Sequence, residues 1–144
     1  MGRVWKYHDG EMALNIDLPA VITILKGDSA TGKTYFVNRV KAMLNEKSLW
    51  TDVKSNIKLD TIVVCNCRVD LMQVYKSKDK FIIFDRFDIY ADKALLDFIN
   101  TGKNIILMIS RRGYKGIKVT FDDIFRLEND IKGGISYFST KRLF

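Results

Sequence analysis

Residues 21 to 34 read Val21-Ile22-Thr23-Ile24-Leu25-Lys26-Gly27-Asp28-Ser29-Ala30-Thr31-Gly32-Lys33-Thr34, an apolar run that passes directly into the pattern G-x-x-x-x-G-K-[ST]. A P-loop belongs in this position, between a strand and a helix. Its backbone N–H groups turn inward to form an anion nest, and the following helix adds the positive end of its dipole. Gly27 and Gly32 permit the turns and the close backbone approach. Lys33 is placed to reach the β- and γ-phosphates, and the Thr34 hydroxyl to coordinate Mg²⁺. The expectation is a polyphosphate site made by Gly27, Asp28, Ser29, Ala30, Thr31, Gly32, Lys33 and Thr34, with ATP or GTP and Mg²⁺ as cofactors.

Beyond the loop, short apolar runs alternate with helical patterns, which predicts an α/β fold with a mostly parallel sheet. The first strand covers 21 to 26. The helix that starts near Gly32 presents Phe36, Val37, Val40 and Leu44 as one apolar stripe. After a polar loop from about 48 to 58, the β-branched run Thr61-Ile62-Val63-Val64-Cys65 predicts a second strand and 69 to 75 a short helix. Phe81-Ile82-Ile83-Phe84-Asp85 is apolar on both faces, as the interior of a parallel sheet requires. Asp92 caps a helix carrying Leu95, Leu96 and Ile99, which stops near Gly102. Ile105 to Ile109 form the fourth strand, followed by Ser110-Arg111-Arg112-Gly113. Weak alternation in 124 to 127 and 135 to 138, around Lys132-Gly133-Gly134, predicts a hairpin added to the sheet. The first 20 residues supply one or two further edge strands, broken at Pro19.

With 144 residues, the chain has the length of a single domain, 1–144, and one sizeable core. Hydrophobic residues at 47% and charged residues at 28% are the balance of a soluble globular protein. No apolar run reaches membrane-span length, and the polar N-terminus lacks a signal peptide's apolar region, so the expected location is the cytoplasm. The net charge of +7 attracts polyanions, a class that includes nucleotides, nucleic acid and acidic protein surfaces. Cys65 and Cys67 would share one face of a strand. With two cysteines and one histidine in the chain, a four-ligand zinc site is not expected.

In open α/β sheets ligands bind beyond the carboxyl ends of the strands, so strand-terminal residues carry the chemistry. Asp85 closes the third strand and reads as a Walker B carboxylate, holding Mg²⁺ with Thr34. A whole strand and helix between the P-loop helix and Asp85, and the polar end of the next strand, resemble the additional-strand division of P-loop NTPases, which includes AAA+ and NACHT-type ATPases. The resemblance covers about residues 20 to 112. It implies a three-layer P-loop NTPase sheet of about five strands in the order 5-1-4-3-2, here with a C-terminal β-hairpin. It also implies that Ser110 lies near the γ-phosphate as a sensor. Asp85-Arg86-Phe87-Asp88 and Ile109-Ser110-Arg111 are similar to the NACHT-type Walker B and sensor segments. Arg86 replaces the usual Glu after the Walker B aspartate, and no helical lid follows the sensor strand.

The expected catalytic set is therefore Lys33, Asp88, Ser110 and Arg111, and the expected metal ligands are Thr34 and Asp85. Asp88 is the nearest acid for positioning the attacking water, but it is shorter than Glu and displaced, which predicts slow hydrolysis. The leading reading is a small Mg²⁺-dependent ATP-binding protein, a weak ATPase or nucleotide-controlled switch acting with a protein partner or as a homo-oligomer. A second reading is a small-molecule kinase of the nucleoside monophosphate type, because Asp85-Arg86-Phe87 is similar to the Asp-Arg-aromatic motif of thymidylate kinases. Such a kinase would place the Asp85 strand beside the P-loop strand. A third is a nucleic-acid-associated accessory ATPase of a phage or mobile element, suggested by the charge and the basic residues from 111 to 118. No nucleic-acid motif accompanies it.

Overall fold

A computed structural model of the chain describes residues 3–26, 32–110 and 116–143. Its strands are β1 (Arg3–His8), β2 (Met12–Leu18), β3 (Ile22–Lys26), β4 (Lys54–Ser55), β5 (Ile62–Cys65), β6 (Phe81–Asp85), β7 (Ile105–Ser110), β8 (Ile124–Lys132) and β9 (Ile135–Arg142). Three α-helices, α1 (Lys33–Asn45), α2 (Leu71–Tyr75) and α3 (Lys93–Asn100), connect strands in the middle of the chain. All nine strands join one sheet in the order β4-β1-β2-β9-β8-β3-β7-β6-β5.

This corrects the expected architecture. The fold is a nine-stranded mixed sheet curled into a half-barrel, with strand outweighing helix at 40% against 33% of the described residues, rather than a mostly parallel sheet of about five strands. The terminal segments account for the difference. β2 is an interior strand, antiparallel to β1 and parallel to β9. The β8–β9 hairpin is no appendage either: β8 pairs in parallel with β3 while β9 carries β2, so the hairpin joins the two ends of the chain into one sheet. β4, inside the polar loop, forms the edge beyond β1.

Within this sheet β3, β7, β6 and β5 run parallel and are covered on both faces. Side chains alternate across a strand, so Leu25, Phe81, Ile83, Leu107 and Ile109 face α1, whereas Ile24, Ile82, Phe84, Ile106 and Met108 face the other way, where the apolar residues of α2 and α3 lie. Helix α1 buries Phe36, Val37, Val40 and Met43; the predicted Leu44 is only partly buried. Asp92 caps α3 by accepting from the Leu95 N–H at 2.8 Å, and Gly102 takes a left-handed φ of 74° after it.

The remaining strands bury one face. Trp5, Tyr7, Met12, Leu14, Ile16 and Leu18 alternate with more exposed neighbours and join the core on the α1 side. Curling brings the ends of the sheet together around α1: the Trp5 ring meets Phe81 edge to face at 5.1 Å, although five strands separate β1 from β6. The turn after β1 is fastened to α1 by Asp9. Its buried carboxylate accepts from Arg39 Nε at 3.0 Å, from the N–H groups of Glu11 and Met12, and from the Tyr7 hydroxyl. Burial alone would raise the pKa of Asp9, but these hydrogen bonds outweigh it and hold the group below its usual value. The cysteines also part company. β5 ends at Cys65, which is buried, and Cys67 is exposed beyond it.

Candidate functional site

The carboxyl ends of β3, β7 and β6 finish level with one another. Lys26 stands opposite Ser110, and Asp85 opposite Ile109. After β3 the chain passes along α1 and through β4, at the edge beyond β1, to the other edge at β5, returns through β6 and β7, and then reaches β8 on the other side of β3, so the direction of winding reverses between β3 and β7. Such a switch point opens a crevice beyond the strand ends.

Residues 27–31 of the motif, which include Gly27, Asp28, Ser29, Ala30 and Thr31, lie outside the described residues, as do Arg111 and the Ser110 side chain. What brackets them is defined. β3 ends at Lys26, Gly32 adopts φ 77°, and α1 begins at Lys33. Gly32 is required there on two counts. Its backbone is left-handed, and an added Cβ would stand 3.0 Å from Phe138 Cε1 and 3.3 Å from Asn129 Nδ2 of the hairpin. Lys33 is buried at the head of α1, and Thr34 beside it is exposed.

Asp85 is buried at the end of β6, on the same sheet face as Phe81 and Ile83 and hence on the α1 side. Burial raises its pKa; the Arg86 N–H bonded to it and the charges of Arg86 and Lys33 pull it down, and Asp88 pushes it up, with a net rise. Among the charges that act on Asp85 is that of Lys33 at the head of α1. Asp88 is exposed on a 3-10 turn, Phe87–Ile89, and Arg86 before it takes a left-handed φ of 54°. A non-glycine residue held in that region stores strain, a common feature of functional turns.

Sequence reasoning missed what holds this turn. Phe87 and Tyr90 are fully buried beneath it, with Phe84 5.5 Å from Phe87 and Phe87 5.8 Å from Tyr90, ring to ring. The Tyr90 hydroxyl lies 2.6 Å from the Asp85 carbonyl oxygen and 3.0 Å from that of Cys65, to either of which it can donate. Burial lifts its pKa well above the ordinary tyrosine value and pushes the Cys65 thiol up to about 11, so both are neutral at physiological pH. A tyrosine five residues past a strand-terminal Asp was a legible signal only with the turn geometry known. Nearby, Lys41 of α1 donates to Asp70 and Asn66, each at 2.8 Å, fixing the segment after β5 to that helix.

Among the described residues no cluster of three or more His, Cys, Asp or Glu side chains could cage a metal. Mg²⁺ does not demand one, because it is commonly held by one or two protein oxygens together with substrate phosphates and water. Asp85, a buried carboxylate, and Thr34, an exposed hydroxyl, are hard oxygen groups of the kind that ion prefers. No helix among the described residues is long and apolar enough to cross a membrane. No protein-family model and no curated protein matches the chain.

Proposed function

We propose that this chain is a Mg²⁺-dependent nucleotide-binding protein of the P-loop NTPase kind, taking ATP or GTP in the cytoplasm and acting as a weak ATPase or nucleotide-controlled switch with a protein partner. The observation that carries the reading is the meeting of a complete G-x-x-x-x-G-K-[ST] motif, set between the end of β3 and the head of α1, with a buried Asp85 that feels the charge of Lys33. The reading rests on this local arrangement and not on a five-stranded fold.

In the proposed site Lys33 and the loop N–H groups neutralise the phosphates, while Thr34 and Asp85 would hold Mg²⁺, which supplies charge neutralisation at the terminal phosphates. Asp85 would hold the ion as carboxylate, and the cation's charge would offset the penalty of charging a buried acid. Asp88 is the water-positioning candidate, and its exposure fits slow turnover. Ser110 as sensor and Arg111 as a phosphate-neutralising cation complete the proposed set, although Arg111 and the Ser110 side chain lie outside the described residues. β7 lies between β3 and the Asp85 strand, an arrangement that favours this reading over phosphoryl transfer to a nucleoside monophosphate.

Titration calorimetry with Mg-ATP and Mg-GTP tests the proposal. Binding is expected for wild type, and Lys33→Ala should weaken it by at least about 100-fold, the scale of losing a charge-assisted phosphate contact in a desolvated site. Absence of heat with both nucleotides, or identical binding by Lys33→Ala, removes the reading.

A further inference from the structure

We propose that the β8–β9 hairpin forms the nucleoside-binding wall of the nucleotide site, with the base stacking on Tyr35 and hydrogen-bonding to the Asn129 side-chain amide. The inference rests on the nucleotide reading above and adds to it the part of the ligand that the phosphate loop does not contact. Asp85 lies to one side of β3, two strands away across β7, and β8 lies on the other. A triphosphate whose terminal phosphate faces Asp85 therefore directs its nucleoside toward β8.

The hairpin has the reach to meet it. β8 pairs with β3 only as far as Arg126, opposite Lys26, and then runs on to Lys132. Its upper part, with the start of β9, stands beyond the end of β3 and against the first turn of α1, where Phe138 and Asn129 approach Gly32. Phe138 is fully enclosed, 5.4 Å from Phe36, and stacks on Tyr35 at 6.3 Å with 29° between the rings. Tyr35 is thus oriented from behind and still 43% exposed. Asn129 is exposed, and its amide has no hydrogen-bond partner among the described residues. An amide offers a donor and an acceptor together, as a base edge or a ribose requires. The cations of the hairpin are already engaged, Arg126 with Glu128 and Lys132 with Asp130, so this wall suits the uncharged nucleoside better than phosphate.

The test is calorimetry of wild type, Tyr35→Leu, Asn129→Ala and Lys33→Ala with Mg-ATP, Mg-GTP and Mg-tripolyphosphate, the folding of each variant being checked by its thermal transition. Tyr35→Leu and Asn129→Ala should each weaken the preferred nucleoside triphosphate by about tenfold and leave tripolyphosphate within about twofold, because a lost stack or base hydrogen bond is felt only by the nucleoside. Lys33→Ala should weaken all three ligands. Equal losses for nucleotide and tripolyphosphate, no loss in either hairpin-side variant, or wild-type binding of tripolyphosphate as tight as that of the nucleotides would overturn the hairpin's role while leaving the phosphate site standing. Failure of wild type to bind any of the three would overturn both.

Discussion

The two halves of the sheet solve the same burial problem differently. β3, β7, β6 and β5 are parallel, four to six residues long and buried on both faces, whereas β1, β2, β8 and β9 are six to nine residues long and bury one. A parallel strand needs a crossover to reach its neighbour, and the crossing helices cover both faces; hairpin strands need none and leave a face to water. The difference decides where function can sit. The parallel half brings the carboxyl ends of β3, β7 and β6 level with one another, and the mixed half wraps α1. Helix α1 belongs to both, lying against the parallel strands and inside the curl of the others, so the halves share one core on that side and only the parallel half has a second.

The strongest way to break this picture is at the contact that closes the curl. Trp5 is fully buried, meets Phe81 and Tyr7, and donates through Nε1 to Ser55 Oγ at 3.2 Å. Trp5→Ala should cost about 3 to 5 kcal/mol in urea denaturation, the range for truncating a large buried aromatic residue. If the core is shared, amide exchange in β6 and β7 should accelerate along with that in β1 and β2. Retention of wild-type protection in the parallel strands would make the halves independent folding units.

A second probe sharpens how the mixed half is attached. Asp9 anchors the β1–β2 turn to Arg39 of α1 while Glu11 pairs with the same guanidinium at 3.1 Å. Asp9→Asn should destabilise by about 2 kcal/mol at pH 7, since a buried charge-assisted acceptor is lost and its partners are left poorly matched. The folded-state pKa of Asp9 lies below its unfolded value, so its contribution is fully present above the unfolded carboxylate range and is lost as pH falls through the folded value. Denaturation midpoints of wild type and variant should accordingly converge in acid. A gap that persists at low pH would mean that the carboxylate's charge is not what secures the turn.

The contrast between the halves also explains what could be read from sequence. Runs such as Phe81-Ile82-Ile83-Phe84 are apolar throughout because both faces are covered, and they announce parallel strands without further information. The alternation of Met12, Leu14, Ile16 and Leu18 announces a strand as clearly, but not its neighbour. That β2 would pair with β9 at the other end of the chain is a long-range fact, and Ser136 and Thr140, on the same face of β9 as buried Phe138, dilute the periodicity. The end of β6 at Asp85 is local and was legible, and the G-x-x-x-x-G-K-[ST] pattern is local too, with residues 27–31 outside the described residues. Tyr90 under the Asp85 turn, and Asn129 and Phe138 against Gly32, depend on the tertiary arrangement and were not.

The smallest expected effect bears on the parallel half and has the opposite sign to the loss at Asp9. Both acids are buried, but Asp9 is surrounded by donors that favour its charge, whereas burial dominates at Asp85 and raises its pKa. A raised carboxyl pKa means stability that is fully present below the unfolded value and is lost as pH rises through the folded one. Asp85→Asn removes that loss, while its side-chain oxygen can still accept from the Arg86 N–H. The variant should therefore be more stable than wild type at neutral pH by about 0.5 to 1 kcal/mol, the usual scale of a single stabilising substitution. The advantage should shrink as pH falls toward the ordinary aspartate range. In calorimetry the same variant should lose the Mg²⁺ dependence of nucleotide binding. Greater stability together with lost metal dependence would identify Asp85 as an acid retained for its ligand at the expense of the fold. Lower stability at neutral pH would instead make it a structural partner of the turn, and the asymmetry between the two buried acids would disappear.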